Sequence, residues 1–290
     1  MKRSVFLAIL ATTSVAFAEA IELRTAAASC SVELEGARIT SFKMGGEELL
    51  WNAEPMQLSA KDWAHGGIPV CWPWFGVDEK GAIHGFAWRR RFCIRNRRDG
   101  EDRSEINLFL NVDGARLDYR IALGDALTLE LVTSNTGTND FRFSAGFHPY
   151  FAVAERDRSV VEGMDGMLFE DDPSRPAPER GVWRGTLAVT ASVDRIFKVL
   201  PKFDQEYREL PFTSKLVESG RAISVEAWGA SDVNVWNPGF EKNCPGNVPG
   251  DSWRRFVCVE PILVGEDGSV SLKPGVSRSL KMTVTRRRAP

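Results

Sequence analysis

Beyond residue 20 the chain alternates apolar and polar positions in short runs, with turn residues between them. Residues 31–35 alternate, Gly36 interrupts, Ile39–Met44 alternates again, and Gly45-Gly46 interrupts once more. Residues 105–112 and Ala115–Leu123 flank Asp113-Gly114, a hairpin signal, and residues 127–133 alternate up to the turn signal Asn135-Thr-Gly137. Further strand-like runs occupy residues 193–197, 222–228, 232–236, 256–261 and 279–285. No stretch carries the apolar spacing of an amphipathic helix. Strands at intervals of about ten residues predict an all-β sandwich or barrel, with residues 105–151 forming a β-meander.

Three stretches carry chemistry as well as pattern. Residues 140–151 alternate so that Phe141, Phe143, Ala145 and Phe147 face a core, while Arg142, Ser144, Gly146 and His148 face the other way. His148 stands beside small residues that leave backbone open to a ligand, and Pro149 ends pairing, which puts the imidazole near a sheet rim. The competing reading is a satisfied structural histidine. Residues 256–261 are apolar on both faces and end in Glu260, with Phe256, Cys258 and Glu260 on one face. A carboxylate at the end of such a strand is partly desolvated, which raises its pKa and makes it a more competent base. His65-Gly-Gly-Ile-Pro-Val-Cys-Trp-Pro-Trp-Phe-Gly76 is a rigid, ring-rich segment in which Trp72, Trp74 and Phe75 could stack on a sugar face or plug a core. His84-Gly-Phe-Ala-Trp88 then opens a basic strand over residues 89–98.

Composition narrows the class. Met1 to Ala18 has a basic head, Lys2-Arg3, an apolar run too short to span a bilayer, and a small-x-small ending, Ala16-Phe17-Ala18. It reads as a signal peptide, which predicts a periplasmic or secreted protein. Removing it takes the 37 basic residues to 35 against 39 acidic ones, a net charge of about −4 that argues against nucleic acid or a membrane surface as partner. Nine tryptophans and 17 phenylalanines suffice for a large core. Residues 171–185 are the one candidate linker, but similar strands on both sides favour a single domain over residues 19–290. The five cysteines form no recognisable disulfide framework or zinc motif, and the three histidines are too scattered to suggest a metal cluster. Oligomeric state is not written in the sequence.

Taken in order, seven motifs resemble one family. They are Gly66-Gly-Ile-Pro…Trp-Pro-Trp-Phe-Gly76, His84-Gly-Phe-Ala87, Asn135-Thr-Gly137, His148-Pro-Tyr-Phe151, Asp194-Arg-Ile-Phe197, Val235-Trp-Asn-Pro238 with Glu241-Lys242, and Phe256-Val-Cys-Val-Glu260. Over about residues 39–285 the chain is similar to the aldose 1-epimerases, specifically the hexose-6-phosphate mutarotase branch. The resemblance implies a large twisted antiparallel β-sandwich that binds a sugar and uses neither metal nor cofactor. It implies Glu260 as the base at the anomeric hydroxyl and His148 as the acid at the ring oxygen. Asp194 would hold sugar hydroxyls and His84 would orient the sugar, with His65, Trp74 and Trp88 completing the binding site. Members that take phosphorylated hexoses carry arginine just before Gly-Gly-Ile-Pro and just after His-Gly-Phe-Ala. Here those positions are His65 and Trp88, and Arg89 comes one residue late, which on a strand turns it to the other face. An unphosphorylated sugar is therefore expected.

Overall fold

The computed structural model describes residues 20–53, 63, 65–173, 177–199, 211–240, 248, 250–265 and 267–288. The expected signal peptide, Glu241-Lys242 and Cys244 lie outside the described residues. Among the described residues strands dominate, joined into antiparallel sheets, the largest of nine and eight strands. The fold is the all-β antiparallel sandwich that the alternation predicts.

Alternation builds the nine-stranded sheet. Along Ser104–Val112, Ala115–Leu123 and Leu127–Asn135 every second side chain is buried. The registers put Leu108 opposite Tyr119 and Tyr119 opposite Leu131, so apolar rows run across the strands on one face. Val112 pairs with Ala115 around Asp113-Gly114, with Gly114 at φ 74°, as a tight hairpin requires. Leu127–Asn135 next pairs with the long strand Ser277–Arg288, then Arg221–Trp228 and Phe212–Glu218.

The expected meander therefore stops at Asn135. Residues 140–151 are not one strand but three short ones that carry the chain from one sheet to the other. Phe141–Phe143 pairs with Val270–Leu272, Ala145–Phe147 with Val70–Cys71 and Phe256–Leu263, and Tyr150–Ala152 again with Phe256–Leu263. The Asn135 amide drives the departure, donating to the carbonyls of Asn139 and Leu272 while its oxygen accepts the Gly137 N–H. Phe143, Ala145 and Phe147 do join the main core, as alternation predicted. The opposite face differs from expectation. A Cβ at Gly146 would lie 2.6 Å from the Phe75 ring, so that backbone is covered by protein rather than open to a ligand.

The eight-stranded sheet runs from Arg180–Val182 through Leu168–Asp171, Val193–Lys198 and Asp232–Asn237 to Phe256–Leu263, then Ala145–Phe147 and Val70–Cys71. Its inner face gives Val233, Val235, Val257, Val259 and Leu263 to the main core. Its outer face carries Asn234, Trp236, Phe256, Cys258 and Glu260, under a second apolar cluster of Tyr150, Val248, Trp253, Phe256 and Cys258. That double covering explains why residues 256–261 are apolar on both faces. It also means Glu260 lies within the strand, fully buried, rather than at its end.

Other local readings change with tertiary context. Within residues 171–185, Arg180–Val182 pairs with Leu168–Asp171, so this part of the segment is a strand of the eight-stranded sheet rather than open loop. Buried Asp171 grips Arg195 at 2.5 Å, and the guanidinium lies over Phe169 and Trp183. Trp72 is fully buried in the core, its indole N–H donating to Thr133 Oγ1, so it is no sugar platform. Arg89 ends a short 3-10 turn, Ala87–Arg89, and the strand begins only at Cys93. The strand-face argument about Arg89 does not apply, because a 3-10 turn has no two-residue alternation.

Candidate active site

Antiparallel register assembles the site. Tyr150 pairs with Cys258 and Ala145 with Leu263, so the pairing keeps one register across the gap between the two short strands. That register sets His148 against Glu260. Prolines 149 and 261 have no N–H to give the ladder there, so alignment survives without regular pairing. The His148 backbone N–H turns aside to the Pro69 carbonyl, and its Nε2 stands 3.5 Å from Glu260 Oε2. On the other side Asn234 pairs with Glu260, and its amide donates to Asp194 Oδ1 at 3.2 Å and toward Glu260 Oε1 at 3.5 Å. Three adjacent strands thus place Asp194, Asn234 and Glu260 in a row on one face, with His148 beyond.

Rings close over this row. The His148 imidazole stacks on Tyr150, with ring centroids 4.8 Å apart and planes 12° apart. Trp63 packs against His84, Trp88 and His148. Its indole N–H donates to the Tyr150 hydroxyl, which also shares a hydrogen bond of 2.8 Å with His65 Nδ1. His84 sits at φ 54°, where a non-glycine residue is strained, and its Nδ1 accepts the Gly76 N–H. That bond leaves Nε2 as the protonated nitrogen of a neutral His84, a donor for a hydroxyl. The three histidines, scattered along the sequence, converge here, with the His84 and His148 centroids 5.3 Å apart.

Burial sets their charge. It pushes the Glu260 carboxyl well up, the Asp194 charge adds to the push, and the Asn234 amide opposes it. It drives His148 well down, and His84 and His65 reinforce that. His65 falls to about 4 and His84 to about 3, mainly by desolvation. Each shift favours the uncharged form, as expected where water is excluded. Within the cluster His148 Nδ1, Asn234 Oδ1 and Glu260 Oε2 are buried without a hydrogen-bond partner among the described residues. Such atoms are costly unless a partner satisfies them, so each could hydrogen-bond a polar group brought into the site.

The model of one family, described as aldose 1-epimerase, matches residues 19–285. The chain belongs to the aldose 1-epimerase family. It is an isomerase of the mutarotase type. A provisionally assigned glucose-6-phosphate 1-epimerase from Cenchrus ciliaris is 29% identical over 283 residues, covering 89% of this chain and 81% of its own. Another provisional glucose-6-phosphate 1-epimerase, from Escherichia coli, is 24% identical over 271 residues, covering 89% and 87%. A provisionally assigned mutarotase structure from Salmonella typhimurium superposes with a TM-score of 0.78 at 22% identity, covering 93% of this chain and 90% of its own.

In this epimerase His148, Glu260, Asp194, His84, His65 and Trp88 all fall in or beside one cluster. Trp74 does not join it in its described contacts, which are with the Phe86 ring and the Ala82 carbonyl. Sequence reasoning missed Trp63, Tyr150, Asn234 and Trp236 as site residues. Tyr150 and Trp236 stood inside recognised motifs, and Asn234 shares the alternating face of Trp236. Trp63 had no signal of its own. The Cys258 thiol adds one more group, since ligand atoms of His148, Cys258 and Glu260 lie within 4.8 Å of one another.

Proposed function

We propose that this epimerase interconverts the α and β anomers of an unphosphorylated hexose, with Glu260 and His148 as the proton-transfer pair. Glu260 takes the proton of the anomeric hydroxyl while His148 gives one to the ring oxygen, and the ring opens to the aldehyde. Rotation about the C1–C2 bond and reversal of both transfers close the other anomer. The pair holds one proton in all: burial rests it as neutral carboxyl and neutral imidazole, the reacting form is carboxylate with imidazolium, and the pair stands uncharged again after ring opening. Burial favours that uncharged state, so the low-dielectric site stabilises the open-chain complex. Each group contributes on the order of 10²–10⁴ in rate. Asp194, Asn234 and His84 offer hydrogen bonds to the remaining hydroxyls.

One observation carries the substrate class: the two positions where arginines would meet a phosphate hold a buried, neutral His65 and an aromatic Trp88. His65 is tied to the Tyr150 hydroxyl, and the Trp88 indole N–H to the Gly85 carbonyl. Neither offers the forked cation that binds phosphate oxygens in pairs. A phosphate of charge about −2 left unpaired in such a site loses several kcal/mol of hydration. The basic head, apolar run and Ala16-Phe17-Ala18 support export to the periplasm, where neutral sugars are the expected cargo.

The relatives' names favour a second reading, a hexose 6-phosphate. Arg89, whose guanidinium lies 4.7 Å above the Trp88 ring, would then supply charge. Anomer-exchange NMR over matched neutral and 6-phosphorylated aldoses separates the two. The neutral sugar should lead in kcat/KM by about tenfold or more, roughly 1.4 kcal/mol. The double change His65→Arg with Trp88→Arg should narrow or invert the ratio. A wild-type preference for the phosphate would overturn the assignment.

A further inference from the structure

Cys258 has no part in the sugar chemistry above, yet it shares the strand face of Glu260, two residues away. An imidazole nitrogen, a thiol sulfur and a carboxylate oxygen of His148, Cys258 and Glu260 lie within 4.8 Å of one another, and all three residues are buried. Mixed nitrogen, sulfur and oxygen donors suit a borderline-soft divalent cation, zinc above all, and are wrong for calcium or magnesium. The spacing is close to ready. Tetrahedral zinc, with bonds of about 2.0–2.3 Å, needs nitrogen and oxygen about 3.3 Å apart and nitrogen and sulfur about 3.6 Å apart. His148 Nε2 and Glu260 Oε2 already stand 3.5 Å apart, and Oε2 has no hydrogen-bond partner among the described residues. The Cys258 sulfur lies within 4.8 Å of both atoms, about 1 Å beyond the spacing that tetrahedral zinc needs. Asp194 contributes a second carboxylate whose field reaches both Cys258 and Glu260, which further favours a cation.

We propose that His148, Cys258 and Glu260 form a zinc-binding site that shuts the enzyme off. Three protein ligands leave a fourth position for water. A bound cation takes the carboxylate lone pair and the imidazole nitrogen together, so neither proton transfer can proceed. The inhibition rests on the proton-transfer roles proposed above; the metal binding does not.

Chelator-treated full-length protein is titrated with Co²⁺, which reports thiolate ligation by a near-ultraviolet sulfur-to-cobalt absorption, and then with Zn²⁺ to displace it. In parallel, Zn²⁺ is titrated into the anomer-exchange assay on a neutral aldose and reversed with excess EDTA. The wild type should give the sulfur-to-cobalt band at one equivalent, lose activity with Zn²⁺ and recover it with EDTA. Cys258→Ala, with Cys258→Ser as a second variant should the first fail to fold, should lack the band. Measured against its own metal-free rate, it should lose about tenfold or more of the zinc sensitivity, since a thiolate ligand is gone. Absence of the band in the wild type overturns the proposal. So does a band that persists in Cys258→Ala, which would place the metal on another thiol, or equal zinc inhibition of both proteins. The cobalt titration decides the site even if none of the sugars tested is a substrate.

Discussion

Replacing Glu260 by glutamine tests the centre of the mechanism, because two opposite consequences follow from one geometry. The amide keeps the size of the side chain and can still accept from Asn234, whose Nδ2 stands 3.5 Å from Glu260 Oε1. It cannot take the anomeric proton. Loss of a positioned general base costs about 10²–10⁴ in kcat/KM, or roughly 2.7–5.5 kcal/mol of transition-state stabilisation. Stability should barely change. Burial and the neighbouring Asp194 hold the carboxyl toward its neutral form, which glutamine mimics, so unfolding free energy should move by less than about 1 kcal/mol. For a chain of this size that is a shift in Tm of about 4 °C or less. Two-dimensional exchange NMR at the anomeric protons reads the rate, after subtraction of spontaneous mutarotation without protein, and calorimetry reads Tm. Activity within threefold of wild type would remove Glu260 from proton transfer. A fall in Tm of about 10 °C or more would instead show a stabilising charge at this position and refute the neutral-carboxyl argument.

His148→Asn should lower kcat/KM by about a hundredfold or more on the same acid–base arithmetic, and a loss under threefold would assign the ring-oxygen proton to another group. The pH profile of kcat/KM should be bell-shaped, since the pair works with one proton and fails with two or none. His148 is lowered, so the acid limb lies well below pH 6.5; Glu260 is raised, so the alkaline limb lies well above pH 4.5. An acid limb at or above pH 6.5 in the free enzyme would contradict the burial of His148. Tyr150→Phe removes the hydroxyl that serves both Trp63 Nε1 and His65 Nδ1, leaving two buried polar atoms unpaired. It should cost about 2–4 kcal/mol in urea unfolding, and a loss below about 0.5 kcal/mol would mean that the chain of bonds through Tyr150 carries no stability.

The sequence by itself determined the elements and most of the chemistry. Alternation along Ser104–Val112, Ala115–Leu123 and Leu127–Asn135, with Asp113-Gly114 between two of them, specifies a local hairpin ladder, because period-two burial and a two-residue turn are near-neighbour properties. The motifs around His148, Asp194 and Glu260 named the groups. Tertiary structure decided everything that depends on which strand lies beside which. The run through His148 crosses sheets because its partners lie at residues 70–71, 256–263 and 270–272, and no local pattern reports partners so distant. Glu260 is fully buried rather than partly desolvated because a second apolar cluster covers the outer face of its strand, and that burial is the main cause that moves its pKa well up, with the Asp194 charge adding to it. Trp72 became core and Trp63 became the cover of the site, though both are tryptophans in irregular chain. A ring buries the same area in either place, so only the surrounding packing tells one from the other.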